Sequence, residues 1–393
     1  MPEDLAVFDI DATRPASPFY NDSHHQWRAQ LRRFVDREIM PFVTEWDEDC
    51  TLPAELWRKA ADVGLLQMGY PDNYGGIEAD PFHTIVAAEE LARCGAGGLY
   101  ASLMVHSIAL PPLVHYGSDA LKDLVVAAVL SGEKHISLAV TEPGAGSDVA
   151  SLRCRAVRDG DSYLVSGEKT FITGGMRADW FTTAVRTGGD GFGGISLLLI
   201  PADADGVSRH PLDRKQGWWC SDTATIFFDR VRVPASHLIG AENQGFLPIV
   251  HNFNRERLGI AASCVEYSRV CLHEAIEWAQ QRETFGRRLA DHQVIRHKFA
   301  QMLQRINATH SYLELCAWAE QEGRLKVTDV ALLKVQATET LEFCAREAMQ
   351  VIGGASYIRG GRTERIYREV RVNAIGGGSE EILRDLASRQ MGI

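Results

Sequence analysis

The chain has 393 residues, 45% of them hydrophobic and 24% charged, with a formal net charge of −11. That length exceeds one compact core and predicts two or three modules, and the acidic balance argues against a nucleic-acid or anionic-membrane partner. The eight cysteines form no C-x-x-C pair, no apolar run approaches about 20 residues, and the acidic start "MPEDLAVFDIDATRP" lacks a signal region. A cytoplasmic protein with reduced thiols and no metal site is expected.

From about residue 22 to 130 the spacing is helical. Trp27, Leu31, Phe34 and Val35 recur at i, i+4, i+7 and i+8, which makes one apolar stripe. "YPDNYGG" (70–76) and "PFH" (81–83) punctuate this region, and "PP" at 111–112 kinks or starts a helix. From about 133 to 240 short β-branched and aromatic runs alternate with the turn clusters "RDGD", "TGGDGFGG" and "PADADG", which predicts a small antiparallel β domain. From about 245 the helical period returns, with Phe299, Met302, Leu303 and Ile306 on one face. The fold class expected is α+β, mainly α, divided at 1–132, 133–244 and 245–393.

"GDGFGG" (189–194) fits a dinucleotide fingerprint, but the strand-like "ISLLLIP" follows it where that fingerprint needs a helix. It reads as a hairpin turn. "LAVTEPGAGSDVASL" (138–152) breaks a strand near Thr141 into a glycine loop, where Ser147 or Asp148 could cap the next segment. Such a loop exposes backbone N–H groups and two hydroxyls to a ring edge or a diphosphate, or is simply a well-made β-loop. In "GEKTFITGG" (167–175) Phe171 and Thr173 fall on one side of a strand, a pairing that suits a planar heterocycle and is equally common in plain hairpins. "QRETFGRRLADHQ" (281–293) sets Arg282, Thr284 and Phe285 before a glycine that reads as a helix end, and Arg282 suits a phosphate or the helix dipole. "VIGGASY" adds a glycine pair late in a helical region.

In order and spacing, "TEPGAGSD", "GEKTFITGG", "SDTATIFFDRVRVP", "QRETFG…HQ", "QVIGG" and "IGGGSEEIL" resemble the acyl-CoA dehydrogenase family over nearly the whole chain. The resemblance implies an N-terminal helical domain, a middle β domain and a C-terminal four-helix bundle. It also implies FAD and a homotetramer, less often a dimer, in which a neighbour completes each flavin site. By position, Thr141 and Ser147 would bond the flavin and its pyrophosphate, and Thr173 the N5 edge. Phe171 stands where many relatives have tryptophan; Leu138, Val140, Gly146 and Ile172 complete that cofactor set. Arg282, Thr284, Phe285, Gln293, Gln350, Gly353 and Gly354 would hold the adenine end, largely across a subunit boundary.

One branch of the family carries its catalytic glutamate in a C-terminal "YEGTSQI" type of motif. Alignment of "GGSEEI" (377–382) puts Gly377 at that position, with Ser379 and Glu381 at cofactor positions. Glu380 and Glu381 fall in a first helical turn, where acids complement the dipole. The isovaleryl- and long-chain-type branch takes its base from an "ERL" segment, and "NFNRERLGIAA" (252–262) puts Glu256 there. Asn254 and Arg257 match substrate positions, and Ser147, Gly376 and Gly378 join them. The implied reaction is α,β-desaturation of an acyl-CoA thioester, with Glu256 as base and the Gly377 N–H as a carbonyl donor. Electrons would go to an electron-transferring flavoprotein, and a branched or bulky acyl group fits the glycines. The alternatives are a flavin-dependent oxidase or monooxygenase on this fold, a nucleic-acid-binding flavoprotein relative, or an enzyme acting on carrier-protein thioesters.

Overall fold

Helices α1 (Asp22–Glu38), α2 (Val43–Glu48), α3 (Glu55–Asp62), α4 (Pro81–Ala92), α5 (Gly97–Leu103), α6 (His106–Ala109), α7 (Pro111–Tyr116) and α8 (Asp119–Leu130) come first. Strands β1 (Ile136–Ala139), β2 (Arg155–Asp159), β3 (Ser162–Thr173), β4 (Trp180–Arg186), β5 (Ile195–Pro201), β6 (Val207–Pro211), β7 (Thr223–Pro234) and β8 (Leu238–Ile239) follow. Helix α9 (Phe246–Gln281), the short strands β9 (Glu283–Thr284) and β10 (Arg287–Arg288), and helices α10 (Gln293–Gln321), α11 (Val327–Ile352), α12 (Arg362–Ile375) and α13 (Glu380–Gln390) complete the chain. These elements come from a computed structural model that describes residues 8–393. The helix–sheet–helix order is the one the periodicity predicts.

Residue contacts group these elements into two compact units. One holds the chain up to Met40, Asp80–Gly97 and Arg257–Ile393; the other holds Pro41–Ala79 and Gly98–Glu256. The N-terminal helices therefore contribute to both units.

In the first unit α1 buries the expected Trp27, Leu31, Phe34 and Val35. Asn21 and Asp80 cap α1 and α4, and the two caps interlock. His24 Nδ1 accepts the Asn21 N–H at 3.0 Å, so its Nε2 carries the proton given to Asp80 at 3.0 Å. Behind them Glu89 and Glu90 are fully buried on α4. Glu89 meets Arg14 at 3.2 Å, Arg28 at 2.6 Å and His310 of α10 at 3.2 Å. Burial pushes the Glu89 carboxyl up, but Arg14 and Arg28 overcome it and hold it well below the usual carboxylate range. Helix α11 is central among the later helices and packs on α10, α12 and α13.

In the second unit the sheet runs β6-β7-β3-β2-β4-β5-β8, with β1 on β4. Hairpin-connected neighbours are antiparallel, as expected, and "GDGFGG" joins β4 to β5 as the turn the sequence predicts. The sheet is nonetheless mixed. Strands β1 and β2 each pair with β4 in parallel, which the long connection between β1 and β2 and the return through β3 permit. No single helix among the described residues is long and apolar enough to cross a membrane.

His106 of α6 is buried with Nε2 at 3.2 Å from the Leu66 carbonyl, and the Tyr70 hydroxyl donates to its backbone oxygen at 3.3 Å. Burial pulls its pKa down to about 4 against the opposing pull of hydrogen bonds to Leu103 and Leu66. The folded state thus refuses a proton that the unfolded chain accepts below about pH 6.5, so stability is lost as pH falls from about 6.5 to about 4. The full loss is about 3 kcal/mol. Denaturant midpoints measured across this window should fall with pH in the parent protein, and His106→Gln should flatten that part of the slope.

Candidate functional site

The candidate residues form two sets, one in each unit. In the second unit β1 carries Leu138 to the edge of the loop that starts after Val140. Glu142 and Ala145 exchange both backbone hydrogen bonds at 3.1 Å around Pro143–Gly144, which makes a tight turn. The loop is then pinned from beneath. Glu142 accepts from Arg153 N at 2.6 Å, Cys154 N at 2.9 Å and Lys169 Nζ at 2.8 Å. Lys169, fully buried on β3, also donates to the Val140 carbonyl at 2.9 Å. Next to it the Thr170 N–H donates to the Thr141 carbonyl at 2.9 Å, so "TEPGAGSD" and "GEKTFITGG" are brought together. Ser147 and Asp148 are exposed, and neither side chain caps the single 3-10 turn Val149–Ser151 that follows.

The pairing of Phe171 with Thr173 is less regular than strand alternation predicts. A register shift lies between Lys169 and Ile172, and Phe171 has φ 58°, a left-handed conformation for a bulky residue. The bulge leaves the Phe171 ring 69% exposed while Ile172 is buried and Thr173 half-buried. A strained, outward aromatic ring beside a hydroxyl is a platform for a flat ligand. Gly144 and Gly146 point the same way. A Cβ at either would meet nothing within 4 Å, so the chain's own packing does not require glycine there, whereas close approach of a ligand would. The residues of this set fit a flavin with its pyrophosphate.

In the first unit α9 ends at Gln281, and the expected helix-ending glycine proves to be something else. Phe285 (φ 51°) and Gly286 (φ 76°) form the two-residue turn of the hairpin β9–β10, because two left-handed residues match strand twist. The turn holds Phe285 98% exposed at its tip. Thr284 Oγ1 lies 3.1 Å from His292 Nε2, and Arg282 and Gln293 are exposed on either side of the hairpin in sequence. Helix α11 closes at Gly353 (φ 69°), leaving Gln350, Gly353 and Gly354 exposed. This end borders a groove of about 420 Å³ lined by Trp278, Gln281, Ile352, Ala355, Ile358 and Arg359.

The glycines that follow α12 are the most constrained part of this set. Gly377 and Gly378 have φ 68° and 109°, whereas Gly376 has φ −63°. Arg257 of α9, itself buried, donates from Nε to the Gly377 carbonyl at 3.1 Å. Lys334 of α11, fully buried, donates to the Ala374 carbonyl at 3.0 Å and the Gly378 carbonyl at 2.9 Å. The Gly377 N–H donates to no group among the described residues. Ser379 caps α13, with Ile382 N donating to its hydroxyl at 3.4 Å. Glu381 is exposed in the first turn, where its own backbone amide and Ser379 lower its pKa. Glu380 is tied down by Thr338 at 3.1 Å. Glu256 and Asn254, two residues before it, are half-buried on the part of α9 that belongs to the second unit, Glu256 being that unit's last residue.

Glu142, Lys169 and Lys334 are the structural anchors that sequence reasoning passed over. For Lys334 a signal exists: it sits on the apolar stripe of α11 with Val330, Leu333 and Leu341, all buried. Removing one partner of a buried ion pair strands the other, so Lys169→Met should lower stability by about 3–5 kcal/mol. Denaturant unfolding measures that loss, and flavin absorbance per chain should fall with it, since the 140–148 loop loses its anchor.

Comparison with known proteins agrees over most of the chain. Residues 21–133, 137–231 and 243–392 match the models of the acyl-CoA dehydrogenase N-terminal, middle and C-terminal domains. The acyl-CoA dehydrogenase AFT10-1 of Alternaria alternata is 38% identical over 95% of this chain and 93% of its own length. A crystal structure of a probable acyl-CoA dehydrogenase from Mycobacterium abscessus is 44% identical, with a TM-score of 0.93, covering 95% of this chain and 99% of that one. A glutaryl-CoA dehydrogenase from Mycobacterium smegmatis in complex with FADH2 is 26% identical, with a TM-score of 0.90 and 95% of each chain covered. Matched in order from the helix that opens on Asn21 to the cap at Ser379, the chain belongs to the acyl-CoA dehydrogenase family of FAD-dependent oxidoreductases.

Proposed function

We propose that this protein desaturates an acyl-CoA thioester between Cα and Cβ, with Glu256 as the base and the Gly377 N–H as a donor to the thioester oxygen. The observation that carries this reading is the loop at Gly376–Gly378. Its carbonyl at Gly377 is taken by Arg257, while the N–H of the same residue has no partner among the described residues. A backbone donor held ready in this way suits an oxygen that gains negative charge as the α-proton leaves. Neither Glu380, bound to Thr338, nor Glu381, exposed in a capped first turn, has the setting of a base. Glu256, half-buried and adjacent to the residue that holds the loop, is the carboxylate assigned to the α-proton.

FAD supplies the hydride acceptor when bound, and an electron-transferring flavoprotein is the assigned recipient of its electrons. Thr141, Ser147, Phe171 and Thr173 would hold the flavin, with Leu138, Val140, Gly146 and Ile172 around them. Arg282, Thr284, Phe285, Gln293, Gln350, Gly353 and Gly354 are assigned to the adenine end of a neighbour's cofactor in a homotetramer. The almost wholly exposed Phe285, Tyr357 (88%) and Ile358 (70%) support such an interface. Ser379 and Glu381 would lie at the cofactor, and Ser147, Asn254, Arg257, Gly376 and Gly378 at the substrate. The free state of all eight thiols suits the cytosol.

Gly376 bears on the acyl group. Its backbone needs no glycine, and a Cβ there would meet only the Val372 carbonyl, at 3.3 Å. Room rather than backbone geometry explains it, which favours a branched or bulky acyl chain. Preference for short straight chains in a panel of acyl-CoAs would overturn that assignment.

Glu256→Gln should keep its FAD and lose about 10²–10⁴-fold in turnover, read as anaerobic bleaching of the flavin band by an acyl-CoA. Full activity in this variant would remove Glu256 as base. Adding Gly377→Glu should restore only part of the rate, since a side chain at φ 68° costs about 1–2 kcal/mol. Reoxidation of the reduced enzyme by an electron-transferring flavoprotein should be faster than by oxygen; the reverse order would favour the oxidase alternative.

A further inference from the structure

We propose that Lys334 is a positioning residue for the desaturation: it holds the backbone N–H of Gly377 where the developing enolate oxygen needs it. The inference rests on the reading of Gly377 as the thioester donor and extends it to the side chain that sets that donor's aim.

Lys334 is fully buried in the first third of α11, away from any surface where a lysine is simply solvated. Its Nζ bridges the two ends of the segment that contains Gly377, with Ala374 O at 3.0 Å before it and Gly378 O at 2.9 Å after it. The Ala374 carbonyl belongs to the last turn of α12, where helical partners run out, and the Gly378 carbonyl lies beyond a residue with φ 68°. One ammonium therefore fixes the distance and direction between the helix end and the loop exit. Arg257 fixes the carbonyl between them at 3.1 Å. With both flanks held, the 376–377 peptide has little freedom, and its N–H points where the loop geometry sends it.

A scaffold lysine could be replaced by a volume-matched apolar residue with little effect on chemistry once the protein is folded. A positioning lysine could not. The two roles are separated with FAD-loaded Lys334→Met and the parent enzyme, using butyryl-, octanoyl- and palmitoyl-CoA as substrates and isobutyryl-CoA as the branched probe. On whichever of these bleaches the parent flavin fastest, Lys334→Met should lose about 100-fold in kcat with KM changed less than about threefold. Exchange of the backbone amides in residues 374–379 should quicken in the same variant, while exchange in the 140–148 loop stays as in the parent. Lys334→Arg, which keeps charge and donors, should recover at least tenfold of the lost kcat. If Lys334→Met does not fold, Lys334→Gln replaces it in the same comparison.

Unchanged kcat in a folded variant overturns the proposal. So does a loss that falls on FAD content and KM with kcat preserved, because that is the pattern of a scaffold lysine. Failure of every acyl-CoA to bleach the parent flavin would instead remove the dehydrogenase reading, and the proposal with it. A parent enzyme that bleaches and a variant that bleaches equally fast would remove only the role of Lys334.

Discussion

A carbonyl at the end of a helix must find a donor, and after α12 the donors come from two other helices. Lys334 of α11 takes Ala374 and Gly378, and Arg257 of α9 takes Gly377. A buried carbonyl left unpaired costs about 1–3 kcal/mol, and two consecutive left-handed residues resist any side chain but hydrogen. These constraints together restrict the loop's conformation. They also tie three helices to the segment assigned to the substrate's carbonyl, so that segment is as rigid as the helices that hold it.

The same constraint explains why acids near these glycines do different work from the one their position first suggests. Ser379 caps α13 and sets Glu380 and Glu381 in the first turn, where a negative charge faces the helix N-terminus. Thr338 then takes Glu380. Both acids are engaged by the helix they start. Glu256 lies outside that first turn and precedes Arg257 by one residue, a rise of about 1.5 Å along α9.

Much of this was legible in the sequence wherever the signal is local. The stripe of Trp27, Leu31, Phe34 and Val35 required only helical periodicity, and the hairpin at "GDGFGG" required only the strand that follows it. Elsewhere the local signal was ambiguous. Gly286 could end a helix or complete a two-residue turn, and the choice depended on Phe285 also accepting a positive φ, which no propensity predicts for a bulky aromatic. The bulge at Phe171 is a mismatch between β3 and β7, a property of two strands and not of one. The parallel pairing of β1 and β2 with β4, and the division of the N-terminal helices between two units, likewise depend on contacts remote in sequence. The buried charges were least legible of all: Glu89, Glu142, Lys169 and Lys334 look like surface residues until their partners are known.

The two buried lysines share a reason. Each peptide carries an acceptor as well as an N–H, so the carbonyls that a loop turns away from solvent need donors of their own. The inward oxygens lie where water does not reach, and a side-chain cation is the compact donor able to satisfy more than one of them. Lys334 takes two such oxygens beside Gly376–Gly378 in one unit, and Lys169 takes one, at Val140, beside the 140–148 loop in the other. Their environments differ in one respect. Lys169 also meets the carboxylate of Glu142, and burial still draws its pKa below the ordinary lysine value. The Glu142 carboxylate is needed there because it carries a second duty, accepting two further backbone N–H groups at Arg153 and Cys154. In each unit, then, the outward chemistry of a glycine loop rests on an inward lysine, and the glycines and the lysine act as parts of one device.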